Sequence, residues 1–265
     1  VDYYFNTSGI LQYSGPNLSV SSDCAVLIDA ATGKIIYNKN ATKKHANAST
    51  TKIMTYILAV ENSPANLNNL VKVSANAASQ EPTKLYMQVG DSFKMKDLLY
   101  SLMLGSHNDT AVAIAEHISG STTKFANKMN TKAKQIGCSS THFVTPNGLD
   151  NGLNHYTTAY DLAKIARYAW RNARLFQKVV GTPSYSFRST QGRSYTTYTT
   201  NALLTTMPGV KGMKTGYTNK AGYCFAGVIR AKSGKTYISV TLGASSSTAR
   251  WNDSRTLLSY AYNNL

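Results

Sequence analysis

Hydrophobic and polar positions divide the chain into three stretches. Near the start, Cys24-Ala-Val-Leu-Ile-Asp29 and Lys34-Ile-Ile-Tyr37 are short apolar runs on either side of Ala31-Thr32-Gly33, the pattern of a β-hairpin. Residues 51–60 follow with Ile53, Met54, Ile57, Leu58 and Val60, a helix apolar enough to require burial on most sides. The polar, Gly- and Pro-containing residues 1–22 are expected to lie along the surface. In the middle, spacings of three and four predict helices over 96–104, 109–118, 122–136 and 158–170, with Ser121 and Asp161 at helix starts. Strand patterns return over 184–188, 194–200, 210–217, 223–230 and 236–242, and a last helix covers 249–262. Strands at both ends around a helical middle predict an α/β fold, with one antiparallel sheet built from both chain ends and flanked by helices. The expectation is a single domain over 1–265 in two lobes: an α/β lobe of about 20–63 plus 175–265, and an inserted all-helical lobe of about 64–174.

Composition narrows the picture. The 265 residues suffice to bury a core without staples, and 42% hydrophobic against 15% charged residues fits a folded protein. Lys+Arg 28 against Asp+Glu 12 gives a charge of +16, so the surface attracts polyanions. Cys24, Cys138 and Cys224 are odd in number and lack metal-type spacing, which predicts isolated buried thiols, with no zinc site or other metal. No apolar run reaches the ~20 residues of a membrane span. Residues 1–15 lack the basic start and apolar run of a secretory leader, so a signal peptide is expected to be absent from this chain.

Three motifs carry candidate chemistry. In Ser49-Thr50-Thr51-Lys52 a hydroxyl and an amine three residues apart share one face of a helix start, so the lysine can serve as base once burial and a second cation lower its pKa. The same four letters recur at Ser121-Thr122-Thr123-Lys124. There Phe125, Met129, Ala133 and Ile136 turn Lys124, Lys128 and Lys132 towards water, so Ser121 reads as an N-cap. The second motif, Ser106-His107-Asn108, follows an apolar helix closed by Gly105; taken alone it is also compatible with a plain turn capped by Asn108 or Asp109. The third, Lys214-Thr215-Gly216, lies within a strand. There Gly216 is expected to let a substrate backbone come close and Lys214 to bring positive charge, whereas Lys232-Ser233-Gly234 is a hairpin turn.

In this order the three motifs resemble those of penicillin-binding proteins and active-site serine β-lactamases. The surrounding Ala48-Ser-Thr-Thr-Lys-Ile-Met54, Thr145-Pro-Asn-Gly-Leu149, Thr158-Ala-Tyr-Asp-Leu162 and Gly212-Met-Lys-Thr-Gly-Tyr-Thr-Asn-Lys-Ala-Gly222 are most similar to low-molecular-mass D-alanyl-D-alanine carboxypeptidases, over nearly all of 20–263. The resemblance implies the β-lactamase/transpeptidase-like fold and a cofactor-free serine peptidase that removes the terminal D-alanine of peptidoglycan stem peptides and is acylated by β-lactams. It makes Ser49 the nucleophile and Lys52 its base. Ser106 and Lys214 would pass a proton to the leaving group, Asn108 would hold the substrate amide, and Thr215, Gly216 and Tyr217 would line the substrate strand. The backbone N–H groups of Ser49 and Tyr217 would form the oxyanion hole, and Arg250 would bind the terminal carboxylate. His107 departs from the family, which usually has glycine there, and no C-terminal β-rich domain is expected within this chain.

Two other readings compete. A class A-like β-lactamase needs a loop carboxylate to activate the deacylating water, and Glu61, Glu81 and Glu116 are wrongly placed in the chain for that. The five histidines show no metallopeptidase spacing. A non-catalytic basic cell-wall-binding protein would use the charge alone. No nucleic-acid-binding signature appears, so anionic wall polymers or a lipid surface are the expected polyanionic partners. The substrate implies an extracytoplasmic location, secreted or on the cell envelope of a bacterium.

Overall fold

The computed structural model describes residues 3–5, 11–13, 15–150, 152, 154–172 and 174–265. Strands β1 (Tyr3–Phe5) and β2 (Leu11–Tyr13) pair with each other; the rest of the expected surface stretch before residue 15 lies outside the described residues. The end of that stretch departs from expectation. Val20 and Ser22 are buried, because the Asp253 carboxylate accepts hydrogen bonds from the backbone and hydroxyl groups of Ser21 and Ser22.

The hairpin β3 (Cys24–Asp29) and β4 (Ile35–Lys39) opens the main sheet, and a 3-10 turn, Ala48–Thr51, leads into α1 (Lys52–Glu61). The inserted lobe contains β5 (Leu70–Lys72), α2 (Ala75–Ala78), β6 (Ser92–Lys94), α3 (Met95–Tyr100), α4 (Asn108–Ser119) and α5 (Thr122–Gln135). It is not wholly helical, since β5 and β6 form an antiparallel pair. Strands of three residues are too short to leave a readable alternation. Next come α6 (Ala159–Asn172), α7 (Arg174–Val180), the hairpin β7 (Ser184–Arg188) and β8 (Ser194–Tyr198), α8 (Leu203–Thr206), β9 (Val210–Thr218), β10 (Gly222–Arg230), β11 (Thr236–Ala244) and α9 (Ser247–Asn264).

The main sheet is antiparallel with strand order β4-β3-β11-β10-β9, so both chain ends contribute to it. Its central strands are buried on both faces. Cys24, Val26 and Ile28 face a core shared with α1, α4 and α6, while Ala25 and Leu27 face Leu257, Leu258 and Ala261 of α9. β7 and β8 stand apart and, among the described residues, pair only with each other. Their aromatic residues settle on the inserted lobe instead: Tyr185 stacks on Tyr100 at 3.8 Å, and Phe187 and Tyr195 meet Phe93 edge-on.

Helix starts refine the reading. Ser121 caps α5, its hydroxyl accepting from Lys124 N–H. Thr158 performs that task for α6 by accepting from Asp161 N–H, which puts Asp161 inside the first turn, where its carboxylate takes Ser140 N–H and Lys164. Lys124 and Lys128 are exposed as expected. Lys132 is not, since it is half-buried and paired with Glu61 at 2.7 Å. The three cysteines are free and buried.

Candidate active site

The 3-10 turn before α1 sets Ser49 one turn ahead of Lys52, and the apolar α1 takes Lys52 fully out of water. Lys52 Nζ lies 2.8 Å from each of three oxygens: Ser49 Oγ, Asn108 Oδ1 and the Asn147 carbonyl. Burial, and then the nearby Lys214 charge, hold the Lys52 pKa well below that of an ordinary lysine, with Asp109 pulling the other way. A neutral amine has two N–H bonds and one lone pair. Asn108 Oδ1 and the Asn147 carbonyl accept only, so they take the two N–H bonds and leave the lone pair for the Ser49 O–H. The geometry thereby orients a base on a hydroxyl.

Asn108 is used at both ends, because its Nδ2 donates to the Glu81 carbonyl at 2.9 Å while its backbone N–H donates to Thr83 O at 2.7 Å. Asp109, fully buried, gathers the same rim segment by accepting from the backbone N–H groups of Leu85 and Met87, and also takes the N–H of its neighbour Thr110. Ser106 stands in the left-handed region at φ 62, after the π-helical turn Ser101–Gly105. Among the described residues its hydroxyl makes no hydrogen bond to Ser49 or Lys52. His107 packs back under that turn. A Cβ on Gly105 would lie 2.1 Å from the imidazole, so a larger residue there would displace the His107 ring. His107 Nδ1 meets Ser101 Oγ at 2.8 Å, and burial together with Lys52 and Lys214 lowers its pKa to about 4.

Strand β9 runs past the other side of Ser49. Lys214 is fully buried, donates to Thr215 O at 2.9 Å, and has its pKa lowered to about 7 by burial and by Arg250. Thr215 is bonded to Thr200 through their hydroxyls at 2.6 Å. At Gly216 a Cβ would stand 2.9 Å from Ser49 N and 3.0 Å from Thr50 N, so glycine lets β9, the edge strand of the main sheet, press against the Ser49 turn. Tyr217, half-exposed, rests against Tyr223 with ring centres 4.4 Å apart. Arg250, from α9, lies over the rings of Tyr223 and Trp251, with one terminal nitrogen 3.3 Å from Ser247 Oγ. Its Nε is buried without a hydrogen-bond partner and no carboxylate pairs with it among the described residues, an arrangement suited to an incoming anion.

Three contributors were not singled out in the sequence. The Asn147 carbonyl reaches Lys52 because Gly148, at φ 87, lets the 145–149 loop press on Ala48, where a Cβ would meet the carbonyl oxygen at 2.0 Å. His155 joins that loop to the Ser49 turn, with Nε2 2.8 Å from Thr51 Oγ1 while Nδ1 accepts from Val144 N–H. Asp109, read only as a cap, holds the rim. No carboxylate is hydrogen-bonded to Ser49 among the described residues: Glu116 is held by Ser74 and Asn76, and Glu61 by Lys132 and Tyr168. No cluster of three or more His, Cys, Asp or Glu is placed to hold a metal ion among the described residues.

A family model described as D-alanyl-D-alanine carboxypeptidase matches residues 12–246. The chain is 36% identical over 248 residues to D-alanyl-D-alanine carboxypeptidase DacF of Bacillus subtilis, covering 92% of this chain and 63% of that protein, just under two thirds of its length. It is 35% identical to a D-alanyl-D-alanine carboxypeptidase of Streptomyces sp. strain K15, covering 87% of this chain and 84% of the other. Among solved structures, the Streptomyces K15 DD-transpeptidase superposes with a TM-score of 0.85 at 31% identity, over 94% of this chain and 99% of that one. The D-alanyl-D-alanine carboxypeptidase DacD of Francisella tularensis gives 0.85 at 32% identity, over 97% and 75%.

Proposed function

Since this chain belongs to the D-alanyl-D-alanine carboxypeptidase family, we propose that it is a serine-type peptidase that removes the terminal D-alanine of peptidoglycan stem peptides through an acyl-enzyme on Ser49. The observation that carries the reading is Lys52 Nζ, dry and 2.8 Å from Ser49 Oγ, with its other two hydrogen bonds spoken for. In this reading Ser49 Oγ attacks the carbonyl before the last residue while its proton passes to Lys52. The oxyanion is held by the N–H groups of Ser49 and Tyr217. The C–N bond then breaks, and the departing D-alanine nitrogen receives a proton by way of Ser106 and Lys214. Asn108 keeps Lys52 in line and offers its remaining N–H to the substrate, Thr215 and Tyr217 line the substrate strand, and Arg250 takes the free carboxylate. Water then attacks the ester. The Streptomyces K15 relative is named a DD-transpeptidase, so the assay includes glycine as a competing amine acceptor.

The substrate places the enzyme outside the cytoplasmic membrane, secreted or envelope-bound, with a part in cell-wall and cell-shape maintenance. Its charge of +16 draws it to anionic wall polymers or lipid. Purified protein should release D-alanine from a peptide ending in D-Ala-D-Ala and gain one penicilloyl adduct by intact mass. With no carboxylate hydrogen-bonded to Ser49 among the described residues to activate water, the adduct should last minutes or longer. Fast multiple turnover of a chromogenic cephalosporin would instead make the chain a β-lactamase, and no adduct at all would leave a non-catalytic binder.

A further inference from the structure

A second site, unconnected with Ser49, lies where the 30–34 turn meets the outer side of α6. A cavity of about 570 Å³ there is lined by Lys164, Arg167 and Arg171, with Thr32, Gln135 and Asn172 supplying hydroxyl and amide groups. The sheet register separates it from the peptidase site. Thr215, Phe225, Thr241 and Ala25 form one cross-strand row, and the turn after Asp29 begins four residues further along β3, roughly 13 Å away at ~3.3 Å per residue.

Arg167 Nε donates to Ala30 O at 2.9 Å and one of its terminal nitrogens donates to Ala31 O; Arg171 donates to the same Ala31 O at 3.0 Å. Two guanidinium groups are thus gathered on one carbonyl. Each carries five N–H donors, so most of these remain unused. Of the neighbouring carboxylates, Asp161 is ion-paired with Lys164 at 2.7 Å, and Asp29 turns one oxygen, Oδ1, to Ala31 and Thr32. Neither arginine forms an ion pair among the described residues. A clamp on the turn would need one arginine. A second cation brought to the same oxygen raises the repulsion, and an anion in the cavity relieves it.

We propose that this cavity binds the phosphate group of a polyol phosphate, with Arg167 and Arg171 as its paired donors and the hydroxyl and amide lining against the polyol. Planar guanidinium pairs suit phosphate oxygens, and the volume exceeds what a bare phosphate fills. The inference rests on the surface-charge reading above and gives it a location. Calorimetric titration of the intact chain with glycerol 3-phosphate at low ionic strength should show saturable binding. Arg167→Gln with Arg171→Gln should weaken it at least tenfold. Arg171→Gln alone, at an exposed residue, should weaken it about threefold without disturbing the turn that Arg167 holds. Lys124→Gln with Lys128→Gln removes the same charge from α5, where no arginine pair exists, and should change binding less than twofold. Every variant should keep its rate of penicillin acylation, which reports the fold. Equal losses in the two double variants would overturn the site while leaving general attraction to polyanions intact. Absent binding, or unchanged binding in Arg171→Gln, would also overturn it. Soluble poly(glycerol phosphate) and phosphatidylglycerol vesicles, compared under the same variants, assign the phosphate to a wall polymer or to a lipid headgroup.

Discussion

Ser49-Thr50-Thr51-Lys52 and Ser121-Thr122-Thr123-Lys124 are the same four residues at the start of a helix, yet they share no chemistry. In the first, Lys52 is wholly buried and its amine meets Ser49 Oγ at 2.8 Å. In the second, Ser121 Oγ is occupied by Lys124's backbone N–H, and the lysine side chain points into water. The difference arises after each motif: Ile53 to Leu58 bury all sides of α1, whereas α5 is apolar on one stripe and charged elsewhere. A lysine becomes a base near neutral pH only where its ammonium loses hydration, so the surroundings confer the chemistry.

The largest expected effect tests that contrast directly. Ser49→Ala should abolish the penicilloyl adduct in intact mass, and Lys52→Ala should slow acylation on the order of a thousandfold, whereas Lys124→Ala should leave the rate unchanged. An adduct on Ser121 in either background would reverse the assignment. Next in size is Arg250. Its removal deletes a charge-assisted contact worth about 1.5 to 3 kcal/mol, roughly tenfold to more than a hundredfold in kcat/KM, for a peptide ending in free D-Ala-D-Ala. The C-terminally amidated peptide lacks the partner charge and should lose much less; equal losses would take Arg250 out of the site.

A pH effect follows from the two buried histidines. His107 and His155 have folded pKa values lowered to about 4 from the ordinary 6.5. Between those values the unfolded chain binds more protons than the folded one, so their contribution is complete above about pH 6.5 and falls as pH drops towards 4. A shift of this size corresponds to about 3 kcal/mol per histidine. In urea titrations His155→Gln should flatten the loss of stability over that window relative to wild type. Parallel pH curves would show that His155 does not titrate there. The smallest effect is Ser121→Ala, which should cost about 1 kcal/mol of stability through the lost cap and leave peptidase activity intact.

Much of the fold could be read in the residues because it rests on local periodicity. The hairpin β3–β4, the cap of α5 and the long strands β9 to β11 each announce themselves within ten residues. Beyond the short strands β5 and β6, what was misread shares one cause. β7 and β8 carry a strand pattern, but which sheet a strand joins depends on partners remote in sequence, and aromatic contacts with Tyr100 and Phe93 hold this hairpin on the inserted lobe. Lys132 sits in the polar register of α5, and Glu61 from another helix pairs with it. The Asn147 carbonyl has no signature at all, since a backbone oxygen belongs to every residue; Gly148 beside it was the available clue.

Residue order alone determines the catalytic alphabet here: a hydroxyl one helical turn from an amine, an apolar helix behind them, and a lysine-bearing strand that follows the helical middle. These depend on neighbours within a few positions, whose geometry is set by helix and strand repeats. Long-range packing supplies everything that makes the groups react. It brings Asn108 and Asn147 to Lys52 from 56 and 95 residues away, sets β9 against the Ser49 turn through the missing Cβ of Gly216, and buries Arg250 Nε with no hydrogen-bond partner among the described residues. Proton affinity and hydrogen-bond direction depend on how far water is excluded and on which atoms replace it, and only the folded chain specifies those atoms.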